Sequence, residues 1–234
     1  MAQELTARVK EVIQRTYNVK SVRLEIGARI DFKAGQFLAV TLLGNPALKK
    51  YLSISSSPTE TCYLEFTKKL TNSDFSKAVA QLKSGDTVKI EYPFGKFTLD
   101  DPGADIAFLS GGIGITPIRS IAKYVVDKNL GTDMVLVYAN RSVKEIVFKE
   151  DFDAMQKAYP KLKVAHVLCE PAVGFKCIPG LINARVIRDE VNNYPQRKFY
   201  LCGPPQMVEA MKKILIAELS LAAENIVSEN FQGY

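Results

Sequence analysis

Three glycines stand close together at Gly111, Gly112 and Gly114, in a stretch whose residue types could bind a phosphate. The apolar residues 105–110 before them predict a buried parallel strand, and the spacing of apolar residues over 117–128 predicts a helix. Glycine leaves backbone amides open to a ligand, and the partial positive charge at a helix start favours an anion. The stretch predicts either a nucleotide site or a turn that needs glycine for tight packing alone.

A second strand-to-helix junction follows Cys202. The segment 198–202 predicts a strand that ends at this cysteine, and Gly-Pro-Pro-Gln-Met at 203–207 opens a helix predicted over 205–219. Parallel strands end at one edge of their sheet, so we expect Cys202 beside the glycine turn. The alternative is a small buried cysteine that only packs.

Composition narrows the class of protein. The chain has 234 residues, of which 47% are hydrophobic, so it can hold one large domain or two modest ones. No apolar run approaches the roughly 20 residues that span a bilayer. The Met-Ala-Gln-Glu start lacks the basic and apolar regions of a leader, and we therefore expect a cytoplasmic protein without a membrane span.

Charge and cysteine spacing argue against other classes. The four cysteines lack the CxxC pairing of metal and iron-sulfur sites. The single histidine, His166, lies in an apolar segment and is interpreted as a strand residue rather than a catalytic base. The formal net charge of +6 is spread along the chain without interleaved aromatic residues, so acidic partners or phosphates are expected and nucleic acid is not.

A turn-forming segment at 100–103, Asp-Asp-Pro-Gly, divides the chain into two patterns. Before it, short segments rich in β-branched and aromatic residues predict strands at 21–26, 36–43, 51–55, 63–68 and 87–92. One helix is predicted over 74–82. This half is typical of a small antiparallel barrel.

After the turn, strands alternate with helices, which predicts a doubly wound, parallel, five-stranded α/β sheet. The strands are predicted at 105–110, 134–139, 163–168, 198–202 and 226–230, and the helices at 117–128, 149–158, 184–192 and 205–219. Thr116 is the predicted N-cap of the first of these helices, with Pro117 as its first residue.

Four motifs occur in the order seen in the ferredoxin-NADP reductase superfamily. They are Leu-Ser-Ile-Ser-Ser-Ser-Pro at 52–58, Tyr-Pro-Phe-Gly-Lys-Phe at 92–97, Gly-Gly-Ile-Gly-Ile-Thr-Pro at 111–117 and Cys-Gly-Pro-Pro-Gln-Met at 202–207. The chain resembles that superfamily over nearly its whole length. The resemblance implies a Greek-key, flavin-binding antiparallel β-barrel at 1–101, an NAD(P)-binding α/β domain at 102–234, and FAD at their interface.

The resemblance also implies roles for individual residues. Ser53 would bond near the flavin nitrogen that accepts hydride, Cys202 would approach the nicotinamide, and Glu229 would be the acidic residue that the closing strand brings to the flavin. The residues expected to contact the cofactors are Lys50, Tyr51, Leu52, Ser53, Ile54, Ser55, Phe66, Ser76, Gly111, Gly112, Gly114, Thr116, Pro117, Asn140, Arg141, Ser142, Lys144, Cys202, Gly203, Pro204, Met207, Phe231 and Tyr234.

Two flavin motifs depart from the family pattern. Lys50-Tyr51-Leu52-Ser53 stands where Arg-x-Tyr-Ser/Thr is usual. Lysine neutralises a phosphate as a point charge but lacks the bidentate fork of arginine, and Leu52 cannot stack as tyrosine does. The second phosphate element, commonly Gly-x-x-Ser, is Ser-Asp-Phe-Ser at 73–76, which keeps Ser76 at a predicted helix start.

The residues after the strand 134–139 bear on the choice of nucleotide. In a doubly wound sheet this position lies beside the adenosine ribose, where a cation accommodates the phosphate of NADP and an acidic residue binds the free hydroxyl of NAD. Arg141, Ser142 and Lys144 stand there, and no acidic residue precedes Glu145. We therefore predict NADPH as the preferred cofactor, with NADH as the alternative.

Together the motifs predict an FAD-dependent oxidoreductase. It would pass hydride from NAD(P)H to the flavin and electrons to a separate acceptor, either an acidic electron-transfer protein such as ferredoxin or flavodoxin or a small molecule. The altered motif at 50–52 leaves a second hypothesis open, a non-catalytic flavin or nucleotide sensor. A basic nucleic-acid-binding protein is the third class considered.

Overall fold

The structure is a computed structural model that describes residues 2–27 and 30–230. Its first unit consists of β1 (Gln3–Thr16), β2 (Val19–Leu24), β3 (Phe37–Leu42), β4 (Lys49–Ser53), β5 (Leu64–Lys69), α1 (Asp74–Gln81) and β6 (Thr87–Phe94). The antiparallel strands follow the order β4-β3-β6-β1-β2-β5, and a bridge between Ile54 and Phe66 brings the two ends together. The predicted barrel is thus confirmed as a nearly closed one.

The sequence pattern missed the longest strand, β1. Its side chains are mostly charged or polar, and only Ala7 and Val9 are buried, so β1 contains no apolar run that predicts a strand. Backbone pairing with β2 on one side and β6 on the other fixes it in the barrel. Pairing with neighbours therefore outweighs the weak local pattern.

Apolar side chains from the strands and from α1 fill the barrel. Strand residues at alternate positions point inward, and α1 adds Phe75 and Val79 to the same core. The core includes Val9, Val22, Leu24, Leu38, Val40, Ile54, Leu64, Phe66, Val88 and Ile90.

The second unit is a parallel sheet covered by helices on both faces. Its elements are β7 (Ile106–Gly111), α2 (Ile115–Lys128), β8 (Met134–Ser142), α3 (Lys149–Ala158), β9 (Leu162–Glu170), β10 (Ile178–Pro179), α4 (Ala184–Glu190), β11 (Lys198–Gly203), α5 (Pro205–Lys213) and β12 (Ile226–Asn230). The strand order is β10-β9-β8-β7-β11-β12. All five predicted strands are present, and the doubly wound α/β class is confirmed.

Two expectations for this unit need correction. The sheet has six strands because the two-residue edge strand β10 pairs with Val167 and Leu168, and it is too short to give a sequence pattern. The last helix, α5, gives way after Lys213 to a π-helical turn, Ile214–Glu218.

The start of α2 also differs from the prediction. The helix begins at Ile115, directly after a 3-10 turn over Gly112–Gly114. Thr116 therefore lies inside the first turn and is not the N-cap, and its hydroxyl donates to the carbonyl of Ile113 at 3.1 Å. The glycine turn runs into the helix without a separate capping residue.

None of the helices within 2–27 and 30–230 is long and apolar enough to cross a membrane.

Candidate functional site

Three residues that could take part in chemistry stand in one row at the carboxyl ends of neighbouring strands. Cys202 of β11 pairs in register with Ser110 of β7 on one side and with Glu229 of β12 on the other. Paired residues of parallel strands point to the same face of a sheet. The row therefore places a thiol between a hydroxyl and a carboxyl group.

The glycine turn lies against this row, as predicted. A Cβ atom on Gly114 would stand 2.2 Å from the carbonyl oxygen of Cys202, so only glycine fits this approach. Gly112 has φ +53°, and a Cβ atom there would meet nothing within 4 Å. Of the two explanations for the glycine-rich stretch, close packing accounts for Gly114, whereas open space at Gly112 leaves room for a ligand.

Several buried polar atoms near this edge have no hydrogen-bond partner within the described residues. Leaving such a group unpaired costs about 1–3 kcal/mol, so each one indicates a ligand or water that completes it. They are the hydroxyls of Ser53 and Ser110, both amide atoms of Asn140, one carboxylate oxygen of Glu229 and Nδ1 of His166. The group includes residues of both units, which indicates a ligand between them.

Burial determines the protonation states of Glu229 and Cys202. It raises the pKa of Glu229 to about 7. Burial also raises the pKa of the Cys202 thiol, and the neighbouring Glu229 carboxylate raises it further. Cys202 is therefore a neutral thiol, and Glu229 can hold or release a proton near neutral pH.

The barrel reaches the same place through β3 and the turn after β6. Ser53 pairs with Phe37, and a Cβ atom on Gly95 would lie 2.7 Å from the Phe37 ring. The same position is 3.8 Å from a carboxylate oxygen of Glu229. The turn after β6 thus brings β3, the strand paired with the one that carries Ser53, close to Glu229 of the second unit, and the space between the two units at this place is called the gap.

A cation that the sequence analysis missed lies beside Lys50. Lys68 of β5 is buried, and its amine donates to the carbonyl of Lys69 at 2.7 Å. Burial lowers the pKa of Lys68, and the positive charge of Lys50 lowers it further. Because two cations share this place, a bound phosphate would relieve their repulsion. The doublet Lys68-Lys69 resembles ordinary surface charge, whereas in the structure Lys68 is buried and Lys69 is half-buried at the end of β5.

Ser76 lies at the start of α1, where it was expected, and is buried. Its hydroxyl shares hydrogen bonds of 3.1 Å with Thr71 and with Ser73, the N-cap residue. This group of three hydroxyls forms a polar helix start of the kind that binds an anion.

Three expected contact residues have side chains directed elsewhere. Ile54 and Phe66 belong to the barrel core, because their strand positions point inward. The Ser55 hydroxyl donates to Glu65 at 2.9 Å and is fully buried. Contacts of Ile54, Ser55 and Phe66 with a cofactor stay a prediction, although their side chains pack within the barrel.

The segment at the end of β8 carries two cations, Arg141 and Lys144. Arg141 is 71% exposed, and its Nε donates to Glu170 of β9 at 2.8 Å. Glu170 pairs in register with Ser142, whereas Lys144 is exposed. An acidic residue therefore lies beside Arg141. The sequence pattern did not predict it, because Glu170 follows Arg141 by 29 positions.

The remaining expected residues fall into three groups. Pro117 is buried in α2, Gly203 is buried at the end of β11, and Leu52 is half-buried against the barrel core. The exposed or half-buried residues along the edge are Tyr51, Pro204 and Met207, and a Cβ atom on Gly111 would stand 2.3 Å from the Met207 sulfur. Phe231 and Tyr234 lie outside the described residues.

Family models match both units. Residues 5–99 match the oxidoreductase FAD-binding domain, and residues 108–213 match the oxidoreductase NAD-binding domain. The glycine betaine monooxygenase reductase subunit of Pseudomonas aeruginosa is 31% identical over 221 residues, which cover 89% of this chain and 59% of that protein. The chain thus spans about three fifths of the length of that relative.

A second relative is similar over more of its own length. NADH-cytochrome b5 reductase 1 of Aspergillus fumigatus is 30% identical over 220 residues, which cover 88% of this chain and 71% of that protein.

Solved structures share the fold. The cytochrome P450 reductase of Amycolatopsis has a TM-score of 0.86 at 24% identity, covering 98% of this chain and 70% of that one. A ferredoxin NADP+ reductase from Neisseria gonorrhoeae, with bound FAD and NADP, has a TM-score of 0.84 at 20% identity, covering 98% and 99%. With the matched motifs and both family models, these findings show that the chain belongs to the ferredoxin-NADP reductase superfamily, with an FAD-binding barrel followed by an NAD-binding sheet domain.

Proposed function

We propose that this chain is a flavoprotein reductase that takes electrons from NAD(P)H and passes them to a separate acceptor. The proposal rests on the buried polar atoms on both sides of the gap that have no hydrogen-bond partner among residues 2–27 and 30–230, above all those of Ser53, Ser110 and Glu229. FAD, when bound there, accepts a hydride from the nicotinamide and gives up its two electrons to the acceptor. We propose 1–101 and 102–234 as the two domains.

Residues of the barrel hold the flavin in this proposal. Lys50 and Lys68 neutralise phosphate charge, and Ser76 offers a helix start to the second phosphate. Ser53 donates its hydroxyl to the reactive part of the ring system. The lone lysine in place of the usual arginine is thereby supplemented by a second cation on the neighbouring strand.

Residues of the sheet domain hold the nicotinamide nucleotide. The open backbone at Gly112 leaves room for the pyrophosphate, and the neutral Cys202 thiol contacts the nicotinamide. Glu229 stores or releases the proton that accompanies electron transfer, because the pKa of its carboxyl group lies near 7.

The acceptor is a redox protein with an acidic surface. Tyr51 is 61% exposed, and its ring lies 5.8 Å from Phe37 and 6.0 Å from Phe94. Lys49 lies 6.0 Å from the Tyr51 ring, and exposed Lys96 follows β6, the strand that carries Phe94. An aromatic patch with cations around it, next to the gap, suits an acidic partner. The names of the relatives, reductases of monooxygenases and of cytochrome b5, support a protein acceptor.

An anaerobic titration tests the function. We expect yellow protein with a flavin spectrum that bleaches on stoichiometric addition of NADPH or NADH. Protein that stays colourless after incubation with FAD contradicts the proposal. Protein that binds FAD but is not reduced by either nucleotide is instead the non-catalytic sensor that the altered motif at 50–52 left open.

A further inference from the structure

Two consecutive residues of α2 bind two consecutive carbonyl groups of the barrel. Arg119 donates to the carbonyl of Ser55 at 2.9 Å, and Ser120 donates to that of Ser56 at 2.7 Å. Both side chains are buried. The helix starts at the glycine turn, and the two carbonyl groups follow Ser53 along the chain. These hydrogen bonds therefore connect the nucleotide side of the gap directly with its flavin side.

The Arg119 guanidinium is held from three directions. It is 3% exposed and donates to both oxygens of Glu60, at 2.7 and 3.1 Å, and to Asp151 at 2.6 Å. Burial alone would raise the pKa of Glu60, but the guanidinium lowers it to about 2. Glu60 therefore stays ionised at any working pH, and the fork of Arg119 keeps one orientation.

A second arginine crosses the domain boundary in the opposite direction. Arg15 of β1 binds Glu65 at 3.0 Å and reaches Asp151 of α3 at 3.5 Å. The ring of Phe148 lies between the two guanidinium groups, 4.8 Å from that of Arg15 and 5.2 Å from that of Arg119. Phe148 is buried with φ +61°, a conformation that a bulky residue keeps only where its surroundings enforce it.

We propose that Arg119 and Ser120 are positioning residues that set the distance between the nicotinamide and the flavin. The inference rests on the proposed function. The hydride moves only between closely approached atoms, and a misplacement of about 1 Å costs on the order of 100-fold in rate. Because both side chains are buried and donate to groups of the protein, their loss loosens the approach of the two cofactor sites while each site keeps its own contacts.

Arg197 provides a matched control. It is as buried as Arg119, at 1% exposure, and donates to Asn192, Ile106 and Asp133. All three partners belong to the sheet domain. Arg197→Met therefore removes a buried, hydrogen-bonded arginine without touching the link between the domains.

The experiment compares Arg119→Met, Ser120→Ala and Arg197→Met with the parent, all loaded with FAD. Stopped-flow reduction by a range of NADPH concentrations separates the limiting rate from nucleotide affinity. We expect the limiting rate to fall at least about tenfold in Arg119→Met and about threefold in Ser120→Ala, with affinities for FAD and NADPH within about threefold of the parent. Arg197→Met is expected to lower the melting temperature but to keep the limiting rate within about twofold.

Hydrogen–deuterium exchange supplies a readout that does not depend on activity. Peptides that cover residues 53–57 are expected to exchange faster in both α2 variants and unchanged in Arg197→Met. Equal limiting rates in Arg119→Met and Arg197→Met overturn the inference. If Arg119→Met does not fold, an unchanged rate and exchange in Ser120→Ala overturn it. If neither NADPH nor NADH reduces the parent protein, the proposed function is overturned instead. The exchange data still show whether Arg119 and Ser120 hold residues 53–57 in place.

Discussion

Cys202 and Glu229 lie side by side on neighbouring parallel strands, and the buried carboxyl group has a pKa of about 7. In the unfolded chain the ordinary value is 4.5. A raised carboxyl pKa means that the folded state binds the proton more tightly, so the parent loses stability as pH rises from about 4.5 through about 7.

The Glu229→Gln variant is neutral at every pH and lacks this loss. We expect the parent to lose up to about 3 kcal/mol of unfolding free energy, relative to Glu229→Gln, between about pH 5 and pH 8. Denaturant unfolding of the two flavin-free proteins measures the difference. A constant difference across this range contradicts the raised pKa of Glu229.

A second prediction concerns the thiol. Cys202→Ala is expected to slow reduction of the flavin by NAD(P)H while FAD stays bound, because we propose that the thiol contacts the nicotinamide rather than the flavin. Stopped-flow spectroscopy measures the rate. The exposed Cys169 serves as a control, and Cys169→Ala should match the parent. Equal rates in Cys202→Ala and the parent leave Cys202 with a packing role only.

The sequence predicted those parts of the site that are each formed by a short continuous segment of the chain. The glycine turn and the end of β11 carry local patterns, and the rule that parallel strands end at one edge was enough to bring Cys202 beside them. Arg119 offered no such signal, since its partners Glu60 and Asp151 lie 59 and 32 positions away. The pattern that predicted a helix over 117–128 assigned no role to Arg119.

The same limit explains the missed cation. Lys68 belongs to a doublet of lysines, and only the strand register decides which of the two is buried. β1 was missed for a related reason, because its stability comes from two neighbouring strands rather than from its own apolar residues. Short-range patterns predict elements, whereas contacts between distant segments depend on the three-dimensional arrangement.

Lys68 gives a third prediction. Lys68→Met is expected to weaken FAD binding by about one to two decades, because a charged hydrogen bond to phosphate contributes roughly 1.5–3 kcal/mol. Lys50→Ala should have a smaller effect, since its exposed charge is screened by solvent. Fluorescence titration of flavin-free protein with FAD measures both affinities. Lys212→Ala, on α5 of the other domain, is the control, and an affinity for Lys68→Met equal to it contradicts the role of Lys68.

The last prediction concerns the choice between NADPH and NADH. We expect Arg141 alone to favour the extra phosphate of NADPH, but Glu170 already accepts a hydrogen bond from its guanidinium and places a negative charge beside it. We therefore expect a preference for NADPH that is smaller than Arg141 alone would give. Glu170→Gln should raise the ratio of NADPH to NADH efficiency by about tenfold, and Arg141→Ala should lower it by a similar factor.

Asp189→Asn is the control, because it breaks a similarly exposed arginine–carboxylate pair on α4, with Arg185, and should leave the ratio unchanged. Steady-state rates with both nucleotides at low and high salt measure these changes, which must shrink with salt because the charges are exposed. A ratio that is the same in Glu170→Gln and in Asp189→Asn removes Glu170 from cofactor selection.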